Sequence, residues 1–371
     1  MNDVKIKCGG SEGFCAKFVP DVFGNDETLA NEIKSATGAE KPRVMLVADA
    51  NVVNQTEGLG MKIGRYVKAH GIELAGPPVV LGGGEKLKSD RWQSVGRLLQ
   101  SAIDAKIGVN DVMLAMGGGA MLDVAGYVAA QVRGGVKLVR MPTTPASMAS
   151  GALADSACIN SINVKDAAKV KSIPSVVIID TQFAKTVLPG VYNAGFGEIL
   201  RMGVANDRKL FDAVAGNLSA IANRDIDFLD EIVRKAVAVF AKRGENGFAL
   251  WGAARLQTMS LYKLPYGYAI PMGVYMDSAY SVEKGYLKKS DLDKICEPFQ
   301  IIGTLEGFMH SGHIISNTAS VLRGLDSWRL ATGSDAIAVL NKIGSCQIEE
   351  KPDREALEKV LKDMTKICAS I

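Results

Sequence analysis

Histidine is scarce in this chain of 371 residues, which contains only His70, His310 and His313. The six cysteines are scattered and include no CxxC pair. This cysteine pattern is typical of a reducing compartment and is neither a disulfide framework nor a zinc site. A zinc site needs three or four converging ligands, and Gly312 with its polar neighbours places His310 and His313 in a loop. The chain is therefore poor in ligands for a transition metal.

Long apolar runs, excess charge and a leader segment are also lacking. A run such as Pro174–Asp180 is well short of the ~20 apolar residues that a membrane span needs. Lys and Arg number 43 against 40 Asp and Glu, so we expect no nucleic-acid or membrane partner. The N-terminal sequence MNDVKIKCGG lacks the apolar core of a signal peptide, which predicts a cytoplasmic protein. A hydrophobic fraction of 47% excludes a disordered chain.

The periodicity of apolar residues divides the chain into two parts. Residues 1–187 alternate short buried runs with helical stretches, which predicts a parallel sheet in a Rossmann-like α/β domain. Residues 188–371 show long stretches of 3.6-residue period, which predicts a mostly helical, all-α domain. A cleft between two such domains is a usual place for a site. The predicted strands are Val44–Val47, Pro78–Leu81, Val112–Ala115, Val136–Met141, Val176–Ile179 and Ala336–Leu340. The predicted helices include Gly60–Ala69, Arg91–Ala105, Leu122–Gln131, Phe196–Val204, Leu210–Ile221, Phe228–Phe240, Phe248–Tyr262, Pro271–Glu283 and Asp353–Ile367.

A glycine loop, Gly117-Gly118-Gly119, follows a buried strand and opens an Ala-rich helix. Glycines let the backbone approach a ligand closely, and the first N–H groups of a helix attract phosphate. The order strand, glycines, helix predicts a phosphate-binding loop, although the pattern is not GxGxxG. Two alternatives remain open. For the glycine loop, the alternative is a tight turn that binds no ligand. For Asp123, which lies one turn into the helix, the alternative is that it only complements the helix dipole.

Four further patterns occur in order along most of the chain: GEKLK at 84–88, GGGAMLDVAGY at 117–127, RMPTT at 140–144 and AGFGE at 194–198. They resemble the segment GGExxK, the loop GGGxxxDxAG[FY], the strand end RxPTT and the motif AGx[AG]E of the sugar phosphate cyclase superfamily, whose best-known member is 3-dehydroquinate synthase. The segment DSAYS at 277–281 is similar to the branch that cyclises sedoheptulose 7-phosphate. Iron-type alcohol and glycerol-1-phosphate dehydrogenases, which share the superfold, fit less well.

The resemblance implies an N-terminal Rossmann-like domain, a C-terminal helical domain and a homodimer. It also implies that NAD binds against the glycine loop, with Glu85 at a ribose hydroxyl and the glycine N–H groups at the pyrophosphate. Family enzymes oxidise a hydroxyl with NAD, eliminate or move past phosphate, re-reduce the product and close a ring. The residues that would line the cofactor are Asp49, Asn51, Glu85, Lys88, Gly117, Gly118, Gly119, Asp123, Thr143, Thr144 and Lys165.

The chain departs from the family where family members hold a divalent zinc or cobalt ion. Glu198 matches the family's metal-binding glutamate. The segment FALWGAARLQ at 248–257 aligns with FGHWAAHKLE, so that Leu250 and Ala254 replace histidines. Tyr266-Gly267-Tyr268 stands where the family has His-Gly-Glu. Because the replacing groups do not bind Zn²⁺ at neutral pH, we expect no divalent metal.

The family's substrate contacts are replaced as well. The segment SGALADSACIN at 150–160 has Ser150 and Ser156 where the family has Asp and Lys. Arg201 replaces the lysine of ExxK and keeps its charge but not its shape. The chain is shortened at 242–246, where the family has the Arg and Lys that hold the substrate phosphate, and Lys242 or Arg243 is the candidate to replace them.

Two functions remain open. The first is a repurposed enzyme that binds NAD and carries out a metal-independent reaction on a small polyol or sugar phosphate in specialised metabolism. The second is an inactive pseudoenzyme that acts as partner or regulator of a pathway enzyme, because ligands and substrate lysine are lost together. The intact cofactor motifs favour the enzyme, and the missing Lewis acid argues against an unaided cyclase. The catalytic candidates are Glu198, Arg201, Tyr268 and Lys242, with Asp155 and Tyr266 as further candidates for a general base.

Overall fold

The computed structural model describes residues 3–8, 11–304 and 314–370, and it divides into two compact units. The sheet unit comprises Met1–Ser161 and Asp166–Tyr192. The helical unit comprises Ile162–Lys165 and Asn193–Ile371. No helix of the described segments is long and apolar enough to cross a bilayer.

Among the described residues, eight strands of the sheet unit form one sheet in the order β1-β2-β10-β7-β6-β3-β4, and β5 also pairs with β3. The strands are β1 (Asp3–Cys8), β2 (Ser11–Phe18), β3 (Arg43–Asp49), β4 (Glu73–Leu74), β5 (Val79–Leu81), β6 (Val112–Gly117), β7 (Lys137–Pro142) and β10 (Val176–Ile179). Only β1 and β2 pair antiparallel, and the other pairs are parallel. The central strand β6 is buried at every residue, as parallel strands covered on both faces are.

Seven helices of the described sheet unit connect these strands. They are α1 (Thr28–Thr37), α2 (Ala50–Gln55), α3 (Leu59–Ala69), α4 (Lys86–Ser89), α5 (Gln93–Asp104), α6 (Gly119–Gln131) and α7 (Pro145–Ala149). Helix α6 is rich in Ala and Gly and buries most of its residues. The predicted parallel sheet with crossing helices is therefore confirmed.

In the first half of the chain, two hairpins were not expected from the sequence. Strands β1 and β2 extend the sheet, although the alternation Val4, Ile6, Cys8 in β1 already has the period of two that a strand needs. Strands β8 (Ser156–Ile159) and β9 (Ala168–Lys171) form a separate antiparallel pair. The loop of this second hairpin carries Asn160, Lys165 and Asp166.

The second half is mostly helical, as predicted. Its helices are α8 (Pro189–Asn206), α9 (Arg208–Ala215), α10 (Leu218–Ala222), α11 (Ile226–Arg243), α12 (Leu250–Met259), α13 (Tyr266–Glu283), α14 (Lys289–Ile301), α15 (Thr318–Thr332) and α16 (Arg354–Ser370). Strands β11 (Ile337–Lys342) and β12 (Ser345–Glu349) form a hairpin. The helix predicted over Leu210–Ile221 is wrong in one respect, because Gly216 and Asn217 divide it into α9 and α10. His310 and His313 lie outside the described residues.

Candidate functional site

The carboxyl ends of β3, β6 and β7 bring three predicted cofactor segments together. These strands are parallel neighbours, so their ends meet at one edge of the sheet, where ligands of such folds bind. The N–H of Thr143 donates to the carbonyl of Gly117 at 3.0 Å. A methyl group on Gly118 would lie 3.3 Å from Cγ2 of Thr144. Asp49, at the end of β3, accepts from the N–H and the side-chain amide of Asn51 at 2.8 and 3.1 Å.

The three glycines of the loop differ in what surrounds them. A Cβ on Gly117 would lie 2.6 Å from Cγ of Met121 and 3.2 Å from Cβ of Asp49, so internal packing alone requires this glycine. A Cβ on Gly119 would meet no atom within 4 Å. Gly119 begins the 13-residue helix α6, whose first N–H groups attract anions. Open space above a helix N-terminus fits the pyrophosphate of a dinucleotide.

A buried cation, Lys88, organises the polar residues beside this edge. Its ammonium donates to Asp123 at 2.5 Å and to Asp166 at 2.7 Å. Burial lowers the pKa of Lys88, but the charges of Asp123 and Asp166 outweigh this effect and hold it well above its usual value. Lys88 is therefore a fixed positive charge whose partners are both carboxylates.

The loop of the β8–β9 hairpin closes this network. The side-chain Nδ2 of Asn160 donates to Oε1 of Glu85 at 2.9 Å, and its side-chain Oδ1 accepts from the N–H of Asp166 at 2.9 Å. Arg140, buried in β7, donates to the carbonyls of Ala152 and Ser172 at 3.2 and 2.9 Å. Burial lowers the pKa of Arg140 to about 10. Arg140 thus anchors the hairpin, which in turn positions Asn160 and Asp166.

In the helical unit, Arg201 lies at the centre of a buried ionic cluster. Its Nε and Nη2 donate to the two oxygens of Glu198 at 2.9 and 2.7 Å. Its Nη1 and Nη2 donate to the two oxygens of Glu245 at 3.0 and 2.6 Å, and Nη1 also donates to the carbonyl of Phe248 at 3.0 Å. All five N–H groups of the guanidinium are therefore used within the protein.

Tyr266 completes this cluster, which we call the Glu198 cluster: Glu198, Arg201, Glu245 and Tyr266. The Tyr266 hydroxyl lies 3.0 Å from Oε2 of Glu198 and donates to it. Burial and the charge of Glu198 raise the pKa of Tyr266 well above its usual value, so the phenol stays protonated. Burial lowers the pKa of Arg201, but the charges of Glu198 and Glu245 outweigh burial and raise it.

The residues of this cluster do not fit a divalent metal ion. Both oxygens of Glu198 are hydrogen-bonded to Arg201, and an adjacent guanidinium repels a dication. Leu250 and Ala254, at the family's histidine positions, offer no ligand atom. In the segments that the structure describes, no group of three or more His, Cys, Asp or Glu side chains is arranged to hold a metal.

The structure also places the remaining site candidates. Tyr268 is half-buried in the first turn of α13, and Lys242 is exposed in the last turn of α11. Nζ of Lys165 lies 5.9 Å above the centre of the Tyr266 ring, so this residue lies against the Glu198 cluster and belongs to the helical unit. No hydrogen bond or ion pair joins Lys242 to that cluster in the described part of the chain.

Two functional candidates were missed from the sequence. Glu245 follows the Lys242–Arg243 pair, where we expected a cation and the structure supplies a carboxylate to Arg201. Asp166 shares Lys88 with Asp123. Neither residue belongs to a motif, and the only local signal is the Gly244–Gly247 turn, in which both glycines have positive φ.

Comparisons with known proteins agree with this architecture. The 3-dehydroquinate synthase N-terminal family matches residues 78–192. The 3-dehydroquinate synthase of Rhodopseudomonas palustris (strain BisB18) is 24% identical over 370 residues, which cover 93% of this chain and 94% of that protein. That of Ruegeria sp. (strain TM1040) is 32% identical over 176 residues, 47% of this chain and 45% of that protein.

Solved structures share the fold over almost the whole chain. The 2-epi-5-epi-valiolone synthase of Streptomyces hygroscopicus subsp. jinggangensis 5008, solved with NAD⁺ and Zn²⁺, matches with a TM-score of 0.82 and 18% identity, covering 98% of this chain and 100% of that one. A 2-deoxy-scyllo-inosose synthase matches with a TM-score of 0.77 and 15% identity, covering 97% and 99%. The ordered motifs, the match of residues 78–192 to the 3-dehydroquinate synthase N-terminal family and this two-unit fold together support a relationship to the sugar phosphate cyclase superfamily.

Proposed function

We propose that this protein binds NAD at the carboxyl ends of β3, β6 and β7 and carries out a metal-independent reaction on a small polyol or sugar phosphate. The observation that carries the proposal is Arg201, whose guanidinium holds Glu198 and Glu245 together. A cation built into the protein replaces the ion that superfamily relatives bind, while the cofactor edge of the sheet is retained.

The case for NAD rests on the sheet unit. Open space above Gly119, the N-terminus of α6 and the adjacent end of β7 form a cradle for a pyrophosphate. Thr144 caps α7 through reciprocal hydrogen bonds with Ser147, which holds the β7 end rigid beside the glycine loop. Asp49, Asn51 and Glu85 offer carboxylate and amide groups for ribose hydroxyls, and Lys88 holds Asp123 in position.

The case for metal independence rests on charge. Glu198 and Arg201 are each about 1% exposed, so their interaction is little screened by water. Introducing a dication would require Glu198 to release Arg201, which would leave a buried guanidinium without one of its carboxylates. This cost opposes metal binding even where one carboxylate ligand is retained.

When held at this edge of the sheet, NAD would supply the hydride acceptor for oxidation of a substrate hydroxyl, whose proton would pass to solvent water. Tyr266, which keeps its proton, donates to Glu198 and orients that carboxylate. Arg201 is a positioning residue, because its N–H groups are all used internally. Tyr268 is the proposed substrate contact, because it is half-buried in the first turn of α13 and stands where the family has the glutamate of His-Gly-Glu. The exposed Lys242 is proposed to attract the anionic group of a sugar phosphate.

A pseudoenzyme is the second candidate, and the same cluster favours it. The carboxylate of Glu198 is saturated by Arg201 and Tyr266, so it presents no free oxygen to a substrate proton. The apolar residues at the family's histidine positions are not fully buried, however. Leu250 and Ala254 are only half-buried, so the expectation that they became core residues does not hold fully. Because Leu250 and Ala254 are partly exposed, we favour the enzyme over the pseudoenzyme.

Calorimetric titration of chelator-treated protein with NAD tests the cofactor proposal. We expect binding without metal, and we expect Gly118→Val to abolish it because the side chain would enter the space beside Thr144. Gly64→Val is the matched control, since Gly64 lies in α3 and a Cβ there meets nothing within 4 Å. Unchanged NAD affinity in Gly118→Val would show that the loop is only a turn.

A screen of polyols and sugar phosphates for NAD reduction at 340 nm then separates enzyme from pseudoenzyme. For an enzyme, we expect turnover that Tyr268→Phe and Glu198→Gln reduce at least tenfold. NAD binding without turnover on any of these substrates favours the pseudoenzyme.

A further inference from the structure

A cavity of about 450 Å³ lies in the helical unit, between the C-terminal end of α12 and one face of α15. Its volume is within the range of small-molecule sites. Two arginines, Arg255 from α12 and Arg323 from α15, line it, together with the hydroxyl-bearing Thr258 and Ser327. None of these residues belongs to the Glu198 cluster.

The two arginines are held toward each other by one residue. Nε of Arg255 donates to the carbonyl of Ser320 at 2.7 Å, and Nη2 of Arg323 donates to Oγ of the same serine at 2.7 Å. Gly324 lets this arrangement form, because a Cβ there would lie 2.7 Å from Cβ of Arg255. Both guanidinium groups are therefore preorganised, at little further cost in side-chain entropy.

Neither guanidinium has a carboxylate partner within ion-pair distance among the described residues. Burial and the neighbouring charge of Arg323 both lower the pKa of Arg255. The one carboxylate in the cavity wall, Asp326, is paired with Arg354. Two like charges held close together store repulsion, which a bound anion would relieve.

We propose that this cavity binds the phosphate group of a small phosphomonoester between Arg255 and Arg323. Arginine suits this role because its planar fork gives two parallel hydrogen bonds to phosphate oxygens. The lining also includes Met259, Leu261 and Leu330, which would contact the carbon skeleton of the ligand. This site is independent of the NAD site, which belongs to the sheet unit.

Calorimetric titration of the full chain with glycerol 3-phosphate, inorganic phosphate and glycerol tests the proposal. We expect both phosphates to bind and glycerol not to bind. Arg255→Gln and Arg323→Gln should each weaken binding at least tenfold, which corresponds to about 1.4 kcal/mol. Arg323 is exposed, so its variant keeps the test valid if Arg255→Gln disturbs the packing of α12 on α15.

Two further variants sharpen the result. Arg329→Gln is the matched control, because Arg329 lies on the same helix but pairs with Asp335 and does not line the cavity. We expect it to bind like the wild type. Asp326→Asn removes the negative charge in the wall and should tighten binding two- to fivefold.

Absence of phosphate binding by the wild type would overturn the proposal, as would equal affinity in the wild type, Arg255→Gln and Arg323→Gln. Loss of phosphate binding in Gly118→Val, with both arginine variants unaffected, would place the anion at the glycine loop and also refute it. NAD affinity is measured separately, so failure here leaves the proposed function standing.

Discussion

At the scale of single residues, Arg201 and its two carboxylates contribute to the stability of the helical unit through a largely buried ionic cluster. Glu245 is about two-fifths exposed while Arg201 and Glu198 are buried. Breaking a fully buried pair costs about 3–5 kcal/mol, and solvent screening reduces this for Glu245. We expect Glu245→Gln to lower the free energy of unfolding by about 1–2 kcal/mol at pH 7 in urea denaturation.

The pH dependence of this effect has a definite sign. Burial raises the pKa of Glu245, but Arg201 outweighs burial and lowers it below the usual value. The stabilisation is therefore present above the pKa of an unfolded glutamate and is lost as the pH falls through the folded value. The difference between wild type and Glu245→Gln should shrink below about pH 4. Glu231→Gln, which removes an exposed pair with Lys235, is the control and should cost under about 0.5 kcal/mol; an equal cost for both variants would contradict the prediction.

Asp277 gives the opposite trend. It is fully buried and accepts from the N–H of Ala249 at 2.7 Å and from Nε1 of Trp251 at 2.8 Å. Burial raises its pKa to about 7, so its stabilisation is complete below the pKa of unfolded aspartate and is lost as the pH rises toward 7. Relative to Asp277→Asn, the wild type should lose stability between pH 4 and pH 7, by up to about 1.4 kcal/mol per pH unit. A constant difference across this range in thermal melts would refute the assignment, and the exposed Asp212→Asn serves as control.

At the scale of elements, α12 determines whether a metal site can exist. The helix begins after Ala249, whose positive φ of 70° is stabilised by Asp277, and it presents Leu250 and Ala254 one turn apart. By the family alignment, histidines at these positions and at 266 would join Glu198 as ligands, but Arg201 is hydrogen-bonded to both oxygens of that carboxylate. We expect Leu250→His/Ala254→His/Tyr266→His to bind Zn²⁺ weakly, and the addition of Arg201→Lys to tighten binding at least tenfold by freeing Glu198.

Titration with Zn²⁺ checks this expectation. The quadruple variant carrying Glu198→Gln is the control and should lose the gain. If the quadruple variant fails to bind zinc although it is folded by circular dichroism, the alignment of α8, α12 and α13 with a metal site is incorrect.

At the scale of the whole molecule, the effect of a ligand on the Tm distinguishes NAD binding from metal binding. A ligand that binds only the native state at a hundred times its Kd adds about 2.7 kcal/mol. We expect NAD to raise the Tm by several degrees, Gly118→Val to lose this shift, and EDTA to leave the wild-type Tm unchanged. A Tm that falls in EDTA and recovers with Zn²⁺ would show that a metal is part of the native protein.

The homodimer remains a proposal based on the superfamily. Sedimentation velocity at micromolar protein concentration checks it, and we expect a single species of twice the chain mass. A concentration-independent monomer would contradict it.

The fold of this chain was predictable from sequence. Continuous buried runs such as that of β6, each followed by a helix, specify parallel strands because both periodicities are local. The glycine loop is recognisable because three adjacent glycines follow a buried strand and open a helix. The absence of histidine at 250, 254 and 266 is also visible in the sequence, and the absence of a metal stays a prediction.

The partners of the buried charged residues were decided only by tertiary structure. Arg201 and Glu245 are 44 residues apart, and Lys88 and Asp166 are 78 apart, so no window of sequence contains both members of either pair. Lys242 looked like the cation of its segment, yet the turn between Gly244 and Gly247 brings Glu245 to Arg201 instead. The sequence shows which residues carry a charge and would need a partner if they were buried. Which residue becomes the partner is decided by folding, because only the folded chain determines which groups are buried next to each other.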